Sequence, residues 1–410
     1  HDQAVLQDLA ALYREAAALP IQNERRKLWR ENNGLKKTRI PILATFGMHN
    51  VWCREVFGDD RMECRDPFLR EHERWLRMQL FQHDVVDDSI QEPWIPLHAA
   101  LKTHPQGHWG VRIQHLPPGV EGGAWAYDPP FQDRIELSRL LRPRHEVDEA
   151  ETVRRTERLR VALGGLLEVQ VDRWPALQYF EADISTTLAH LRGLEALMFD
   201  MTENPQALHG LAAFLRDGIL AAQDQAEKAG DWSLTTQGNQ SMTYCQELED
   251  PRPGNGARSR KDLWCHAAAQ EFTLVSPSMH EEFLLQYQLP ILEKFALVAY
   301  GCCEDLTSKI PLLRKIKNLR LIAVTPRADL ARCAELIGND YVISWRPNPA
   351  DVICCGFDEA KIRRLIGEQL DSARGAFIQI HLKDVETLEG DLGRMKRWVE
   401  IVRDECARRA

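Results

Sequence analysis

The C-terminal third of the chain alternates strand-like and helix-like segments, and no hairpin signal separates one strand from the next. Five apolar runs are each followed by a helix-like segment; the runs are residues 263–269, 295–300, 319–324, 341–344 and 376–380. Strands joined through helices lie parallel, because each helix returns the chain to the same edge of the sheet. With the units that precede them the strands number about eight, which closes a (β/α)8 TIM barrel.

An open, doubly wound sheet is the alternative arrangement of the same elements. Such sheets bind nucleotides through a Gly-rich loop, GxGxxG or GxxxxGK[ST], directly after a strand. Neither motif follows a predicted strand, so we favour the barrel. The predicted plan is an N-terminal helical extension over residues 1–37 and a barrel over residues 38–410, with loop insertions such as the Pro- and Gly-rich residues 107–144.

Two long helices have clear start and stop signals. Residues 66–83 have Pro67 at the first position, and residues 205–229 begin with Pro205 and end before Gly230. Between them, residues 188–199 indicate a passage from helix to strand.

Composition excludes several classes of protein. A net charge of -9 and a pI near 5.9 argue against nucleic-acid binding, which needs a clustered basic surface. No apolar run reaches the roughly 18 residues needed to span a bilayer. The N-terminal residues form an amphipathic pattern with acids in it, unlike a signal peptide. Ten cysteines in 410 residues are too sparse for a disulfide framework, so we expect a cytoplasmic protein.

Candidate site residues follow the predicted strands, because strand ends in a barrel converge on one mouth. Two adjacent thiols, Cys302 and Cys303, come directly after the strand FALVAY, and His381 stands near the end of another. Thiolates and an imidazole that meet at one place form a zinc-type ligand set, which lowers the pKa of a bound thiol or hydroxyl. The other residues expected at the mouth are Glu271, Tyr300, Arg346, Asn348, His266 and Gln270.

Plainer interpretations of these residues stay open. Adjacent cysteines are often only small buried residues, and this interpretation also fits Cys354 and Cys355 in ICCGF. Cys302 and Cys303 differ because they follow their strand. Asp88 and Trp94 lie in an acidic, aromatic turn that suits either a substrate rim or a solvated surface.

Three segments resemble the uroporphyrinogen decarboxylase superfamily. They are SPSMHEEFLLQYQLPIL, MFDMTENPQALHGLAAFLRDGI and YVISWRPNPADVICCGFDEAKIRRLI, and with their surroundings they cover about residues 190–405. The resemblance implies a (β/α)8 barrel. The superfamily contains cofactor-free porphyrinogen decarboxylases and cobamide-dependent methyltransferases, which bind zinc through an HxC motif and a later cysteine.

The chain is more similar to the methyltransferase branch. IPILATFGMHN stands where the decarboxylases have an arginine-rich substrate motif. On the HxCG motif Tyr300 takes the place of the histidine, Cys302 that of the cysteine and Cys303 that of the glycine. His381 corresponds best to the later cysteine, with Glu271 nearby in barrel order.

The first hypothesis is therefore a methyltransferase in which zinc, held by Cys302, Cys303 and His381, assists transfer between a small molecule and cobalamin. No DxHxxG cobalamin signature occurs, so a separate corrinoid protein would carry the cobalamin and dock over the mouth. A cofactor-free decarboxylase, with Asp87 or Asp88 and His381 moving the proton, is the second hypothesis. A non-catalytic ligand-binding barrel is the third. The oligomeric state stays open, with a homodimer as one candidate.

Overall fold

Eight parallel strands form the centre of the computed structural model, which describes residues 1–46, 54–117, 119, 126–234, 240–254 and 256–409. They are β1 (Ile42–Ala44), β2 (Trp94–His98), β5 (Glu168–Asp172), β6 (Trp264–Ala267), β7 (Leu297–Tyr300), β8 (Leu319–Val324), β9 (Val342–Trp345) and β10 (Ile378–Leu382). Six of them make one sheet in the order β1-β10-β9-β8-β7-β6, and β2 and β5 form a separate parallel pair.

The strand order matches the expected alternation over the last five strands. From β6 to β10, neighbours in the chain are neighbours in the sheet, and β10 then pairs with β1, so that Ile380 is aligned with Ile42. First and last strands lie side by side in this way when a sheet curls toward a barrel. Between the described residues no strand ladder joins β1 to β2 or β5 to β6, which leaves two seams between the six-stranded sheet and the pair.

Helices cover the strands and account for most of the remaining chain. They are α1 (Asp2–Ala17), α2 (Ile21–Asn33), α3 (Arg54–Phe57), α4 (Pro67–Val85), α5 (Glu149–Leu163), α6 (Ser185–Arg192), α7 (Leu194–Glu203), α8 (Pro205–Ala229), α9 (Gln240–Thr243), α10 (Pro277–His280), α11 (Gln286–Leu292), α12 (Ile310–Leu313), α13 (Leu330–Ile337), α14 (Glu359–Ser372) and α15 (Arg394–Ala407). Two π-helical turns, Glu281–Leu285 and Ala350–Cys354, and several short 3-10 turns are also present. Within the described residues, no helix is both long and apolar enough to cross a membrane.

The helix ends follow the local signals. Asp66 caps α4 by accepting a hydrogen bond from the Leu69 N–H, and Pro67 follows at the first helical position. Gly230 ends α8 with φ of 75°, a left-handed conformation that glycine adopts without a Cβ clash.

Two apolar layers hold the strands in place. The largest core packs the outer face of the six-stranded sheet against the helices, and includes Val298, Ile322 and Ile343. A smaller cluster, with Ala299 and Leu321, lies on the opposite face. Successive residues of a strand point to opposite faces, so β7 contributes to both layers. A separate core joins α1 and α4 to the β2 and β5 pair.

Two local expectations are wrong. Residues 188–199 form no strand; they belong to α6 and α7, which Gly193 separates with φ of 83°. The second error is an omission, since the segment WIPLH forms β2 although the sequence indicated no strand there. The proline in this segment argued against a strand, because proline lacks the N–H that forms a hydrogen bond to the neighbouring strand.

The described part of the insertion over residues 107–144 contributes a pair of antiparallel strands, and its buried apolar residues Trp109, Val111, Phe131 and Leu140 join the largest core. Its antiparallel strands are β3 (Gln114–Leu116) and β4 (Ala126–Asp128). Trp109 is buried and packs so closely on α8 that a Cβ at Gly218 would lie 2.6 Å from its ring. The tryptophan therefore supports the insertion.

Candidate functional site

The carboxyl ends of β7, β9 and β10 bring a thiol and two cations together. The Lys383 ammonium, one residue past β10, lies 3.6 Å from Cys302 Sγ. The Arg346 guanidinium, directly after β9, donates a hydrogen bond to the backbone carbonyl of Cys302. Three strand ends thus supply one site, as a parallel sheet allows.

The two adjacent thiols differ sharply. Cys302 is buried, Cys303 is exposed, and their Sγ atoms lie 3.5 Å apart. The hydrogen bond from Cys303 and the charges of Lys383 and Arg346 lower the pKa of Cys302 from 9.0 to about 6. The same hydrogen bond raises the pKa of Cys303. Cys302 is therefore a thiolate at neutral pH, which is the nucleophilic and basic form of cysteine.

Glu304 fixes the backbone at Cys302. Its buried carboxylate accepts hydrogen bonds from the N–H of Cys302, at 2.8 Å, and from the N–H of Ala269, at 2.7 Å. One side chain thereby links the ends of β6 and β7. Gly301 makes the turn with φ of 104°, where a Cβ would lie 2.7 Å from Leu306 Cδ1. Glycine is the residue that fits this turn.

Two histidines line the enclosed face of the sheet near these groups. His266 Nε2 lies 3.3 Å from the Gly301 carbonyl oxygen, and burial, with the charges of Arg346 and Lys383, lowers the pKa of His266 to about 4. His381 Nε2 lies 2.9 Å from Thr45 Oγ1, and burial holds the pKa of His381 well below its usual range. Both imidazoles are neutral at pH 7, chiefly because they are buried and additionally because Arg346 and Lys383 are positively charged.

Several buried polar atoms at this end of the sheet have no hydrogen-bond partner among the described residues. They are Ser344 Oγ, Arg346 Nε and His381 Nδ1. Buried polar groups are normally paired, so a cluster of unpaired ones at strand ends is typical of a place where water or a ligand binds.

Glu271 and Tyr300 lie at the same edge but engage other partners. The Glu271 carboxylate accepts a 2.8 Å hydrogen bond from Ser185 Oγ. Tyr300 is fully buried, donates to Gln288 Oε1 at 2.7 Å, and has its hydroxyl 3.0 Å from His280 Nε2. Tyr300 belongs to the core between the sheet and the helices, where its side chain supports packing.

The structure does not bring Asp88, Trp94 and Asn348 to the thiol. Asp88 pairs with Arg39 at 2.6 Å and accepts from the N–H of the first residue of β1, so it lies at the amino end of that strand. Trp94 is likewise the first residue of β2. Asn348 is exposed and bonds to Asp351 at 2.7 Å. Gln270 is half-buried in the turn after β6.

The donor set around Cys302 falls short of a zinc site. Sγ atoms 3.5 Å apart approach the roughly 3.8 Å expected for two thiolates on one tetrahedral zinc. A catalytic zinc takes three protein ligands, yet no group of three His, Cys, Asp or Glu side chains in the described ranges could hold a metal ion. His381 faces Thr45, and Lys383 places a positive charge beside the sulfur.

Two residues of the site were expected at the mouth from the sequence but without a role. They are Glu304 and Lys383, which lie in the strand-end segments YGCCE and IQIHLKD. Asp183 was not expected there, and no sequence signal marks it. It is buried, and its burial together with the charge of Glu271 raises its pKa well above the usual value.

Comparison with known proteins bears on the fold. The sequence matches no protein-family model and no curated protein. Among solved structures, a methyltransferase from Methanosarcina mazei superposes with a TM-score of 0.50 at 13% sequence identity, over 93% of this chain and 97% of that chain. At that identity the likeness extends to the fold, along almost the full length of both chains.

Proposed function

We propose that this protein is a methyltransferase with its reaction centre at Cys302. In the proposed fold, the six-stranded sheet and the pair of β2 and β5 close into one (β/α)8 barrel. The observation that carries the proposal is the Cys302 thiolate beside the Lys383 ammonium, 3.6 Å away, at the carboxyl end of the sheet. The fold similarity to a methyltransferase supports the same reaction class.

The site stabilises negative charge on a heteroatom. Lys383 and Arg346 lower the pKa of the protein's own thiol, so they would act in the same way on a substrate thiol or hydroxyl placed beside them. In the proposed reaction, the substrate gives its proton to Cys302 Sγ. The substrate heteroatom then attacks the methyl carbon of the donor; the new bond to carbon forms as the bond to the donor breaks, and the electron pair leaves with the donor.

The proposal has two further components, a separate corrinoid protein and a zinc ion. The predicted corrinoid protein would present the methyl group at the mouth, where Cys303 is exposed. Zinc needs a third protein ligand in addition to the two thiols, and for that reason the reaction above uses only Lys383 and Arg346. Of the two carboxyls in the decarboxylase hypothesis, Asp88 is engaged by Arg39 away from the thiol, and Asp87 accepts hydrogen bonds from the N–H groups of Ala44 and Ser89.

The test uses methylcobalamin as the methyl donor and 2-mercaptoethanol as the acceptor. We expect the wild-type protein to accelerate loss of methylcobalamin absorbance, and Cys302→Ser to fall to the buffer rate. Cys355→Ser is the matched control, because Cys355 is an exposed thiol in a different turn. Equal rates for Cys302→Ser and wild type, or no acceleration by wild type, would overturn the proposal.

Elemental analysis of the same reduced preparations tests zinc separately. Stoichiometric zinc that is lost in Cys302→Ser supports a metal at the thiol pair. Active protein that contains no zinc shows that the two cations suffice.

A further inference from the structure

A groove of about 730 Å³ lies beyond the carboxyl end of β2. Three segments form it: the loop over residues 102–108, the segment over residues 141–146 that precedes α5, and the C-terminal half of α8. Its volume is in the range of small-molecule sites. None of Cys302, Arg346 and Lys383 lines it, so it is a place distinct from the thiol site.

The lining of the groove is cationic, although the chain has a net charge of -9. Its lysine, arginine and acidic side chains are Lys102, Arg142, Arg144 and Glu146. Lys102 and Glu146 neutralise each other in a 2.5 Å ion pair. Arg142 and Arg144 are exposed, and within the described part of the chain neither has a carboxylate partner. The groove therefore keeps two guanidinium groups whose charge is not neutralised.

The backbone places these two arginines on the same side of their segment. Burial alternates along it: Arg142 and Arg144 are exposed, whereas Pro143 is buried and the side chain of His145 is only 2% exposed. Alternate residues of an extended chain point the same way, and their Cα atoms lie about 7 Å apart. Side chains as long as arginine can bridge that distance, so both guanidinium groups can contact one ligand group.

Contacts with α8 and the chain that follows it fix the segment. Pro143 packs so closely on α8 that a Cβ at Gly218 would lie 2.9 Å from Pro143 Cδ. The His145 N–H donates to Gln225 Oε1 at 2.9 Å, and His145 Nε2 lies 2.6 Å from Asp231 Oδ2. The backbone on both sides of Arg144 is thus held before a ligand arrives, which lowers the entropy lost on binding.

The rest of the lining suits an uncharged organic body. His108 is half-buried, and burial lowers its pKa, so its ring is neutral at pH 7. Leu141 is 49% exposed and Ala221 half-buried, which leaves apolar surface open to a ligand. His104 Nδ1 accepts a 3.2 Å hydrogen bond from the Gln106 N–H. The neutral His104 ring therefore carries its proton on Nε2, which is a donor.

We propose that this groove binds a small organic phosphate monoester, with the phosphate between Arg142 and Arg144 and the organic body against Leu141 and His108. A guanidinium group donates two parallel hydrogen bonds to phosphate oxygens, and two such groups match the charge of a dianion. A single carboxylate would leave one of them unmatched. The binding does not rest on the proposed methyl transfer, because the groove contains none of its residues.

Isothermal calorimetry on the full chain tests the proposal with phenyl phosphate as the probe. The measurement is made near pH 8, where a phosphate monoester carries about two negative charges. Inorganic phosphate is the comparator without a ring, and benzoate is the comparator with a single charge. We expect phenyl phosphate to bind about tenfold more tightly than either of them.

Arg142→Gln and Arg144→Gln each remove one guanidinium group, so each should weaken phenyl phosphate binding about tenfold. Arg14→Gln is the matched control, because Arg14 is exposed on α1 and also has no carboxylate partner among the described residues. All three side chains are exposed, so the melting temperatures should stay close to that of wild type. The proposal is overturned if wild type does not bind phenyl phosphate, if either comparator binds as tightly, or if the two groove variants bind it as Arg14→Gln does.

Discussion

Replacing Lys383 by methionine tests the electrostatics of the site directly. The ammonium lies 3.6 Å from Cys302 Sγ, and the Lys383 side chain is 23% exposed. Two unit charges at that distance interact by about 1 kcal/mol in water and by about 4–5 kcal/mol at an effective dielectric constant near 20. Partial exposure places the real value between these limits. We expect Lys383→Met to raise the pKa of Cys302 by about one to two units, since one unit corresponds to about 1.4 kcal/mol.

The pH dependence of alkylation by iodoacetamide measures this shift, with tandem mass spectrometry to assign the label to Cys302 or Cys303. The wild-type rate at Cys302 should rise with a midpoint near pH 6. In Lys383→Met the midpoint moves upward, and the rate at pH 7 falls about two- to tenfold because less of the thiol is ionised. Lys383→Arg keeps the charge and should keep the midpoint near that of wild type. A wild-type midpoint near 9, or equal midpoints for the methionine and arginine variants, would refute the reasoning.

Three further substitutions give separate outcomes. Arg192→Met leaves the buried Asp200 carboxylate without its 2.6 Å partner, so we expect a loss of about 3–5 kcal/mol in denaturant unfolding; an unchanged midpoint contradicts this. Tyr300→Phe removes a buried hydroxyl with two partners and should cost about 1–3 kcal/mol, seen as a lower melting temperature. Glu304→Gln removes a negative charge that raises the pKa of Cys302; the alkylation midpoint should therefore move to lower pH, and an upward shift would count against it.

Much of the fold follows from local signals in the sequence. The α8 helix spans Pro205–Ala229, as its proline start and the following glycine indicate. The strands β6 to β10 appear where apolar runs lie between helix signals. Helix and strand are harder to distinguish where an apolar run is short. Residues 188–199, which belong to α6 and α7, illustrate this. Their conformation depends on Gly193, whose φ of 83° ends one helix and admits the next.

The site was partly predictable because its geometry derives from strand ends. Cys302, Arg346 and His266 were expected at the mouth. In the structure, Arg346 donates a hydrogen bond to the Cys302 carbonyl, and His266 Nε2 lies 3.3 Å from the carbonyl oxygen of Gly301. The roles of individual side chains depend on their contacts, which a sequence does not show. Tyr300 occupies a strand end as expected, yet its hydroxyl is engaged in the core.

Contacts of residues that do not lie at strand ends were beyond prediction. Asp183 lies in an irregular segment before α6, and only tertiary packing brings it close enough to Glu271 for one carboxyl to affect the other. A cavity of about 40 Å³ at the seam between β5 and β6 has the same origin, since its partly aromatic wall draws on segments from Trp174 to Phe295. No local pattern joins such positions before the chain has folded.

The bridge made by Glu304 makes the reactivity of the thiol a gauge of correct assembly. The carboxylate reaches the N–H of Cys302 and the N–H of Ala269 only while β6 and β7 keep their alignment. A slip of β7 by one residue would turn the wrong side chains toward the interior and would move Cys302 away from Lys383 and Arg346, the two cations that lower its pKa. Misassembled molecules would then carry a thiol of ordinary acidity, so a titration of the cysteine counts the correctly folded fraction of a preparation.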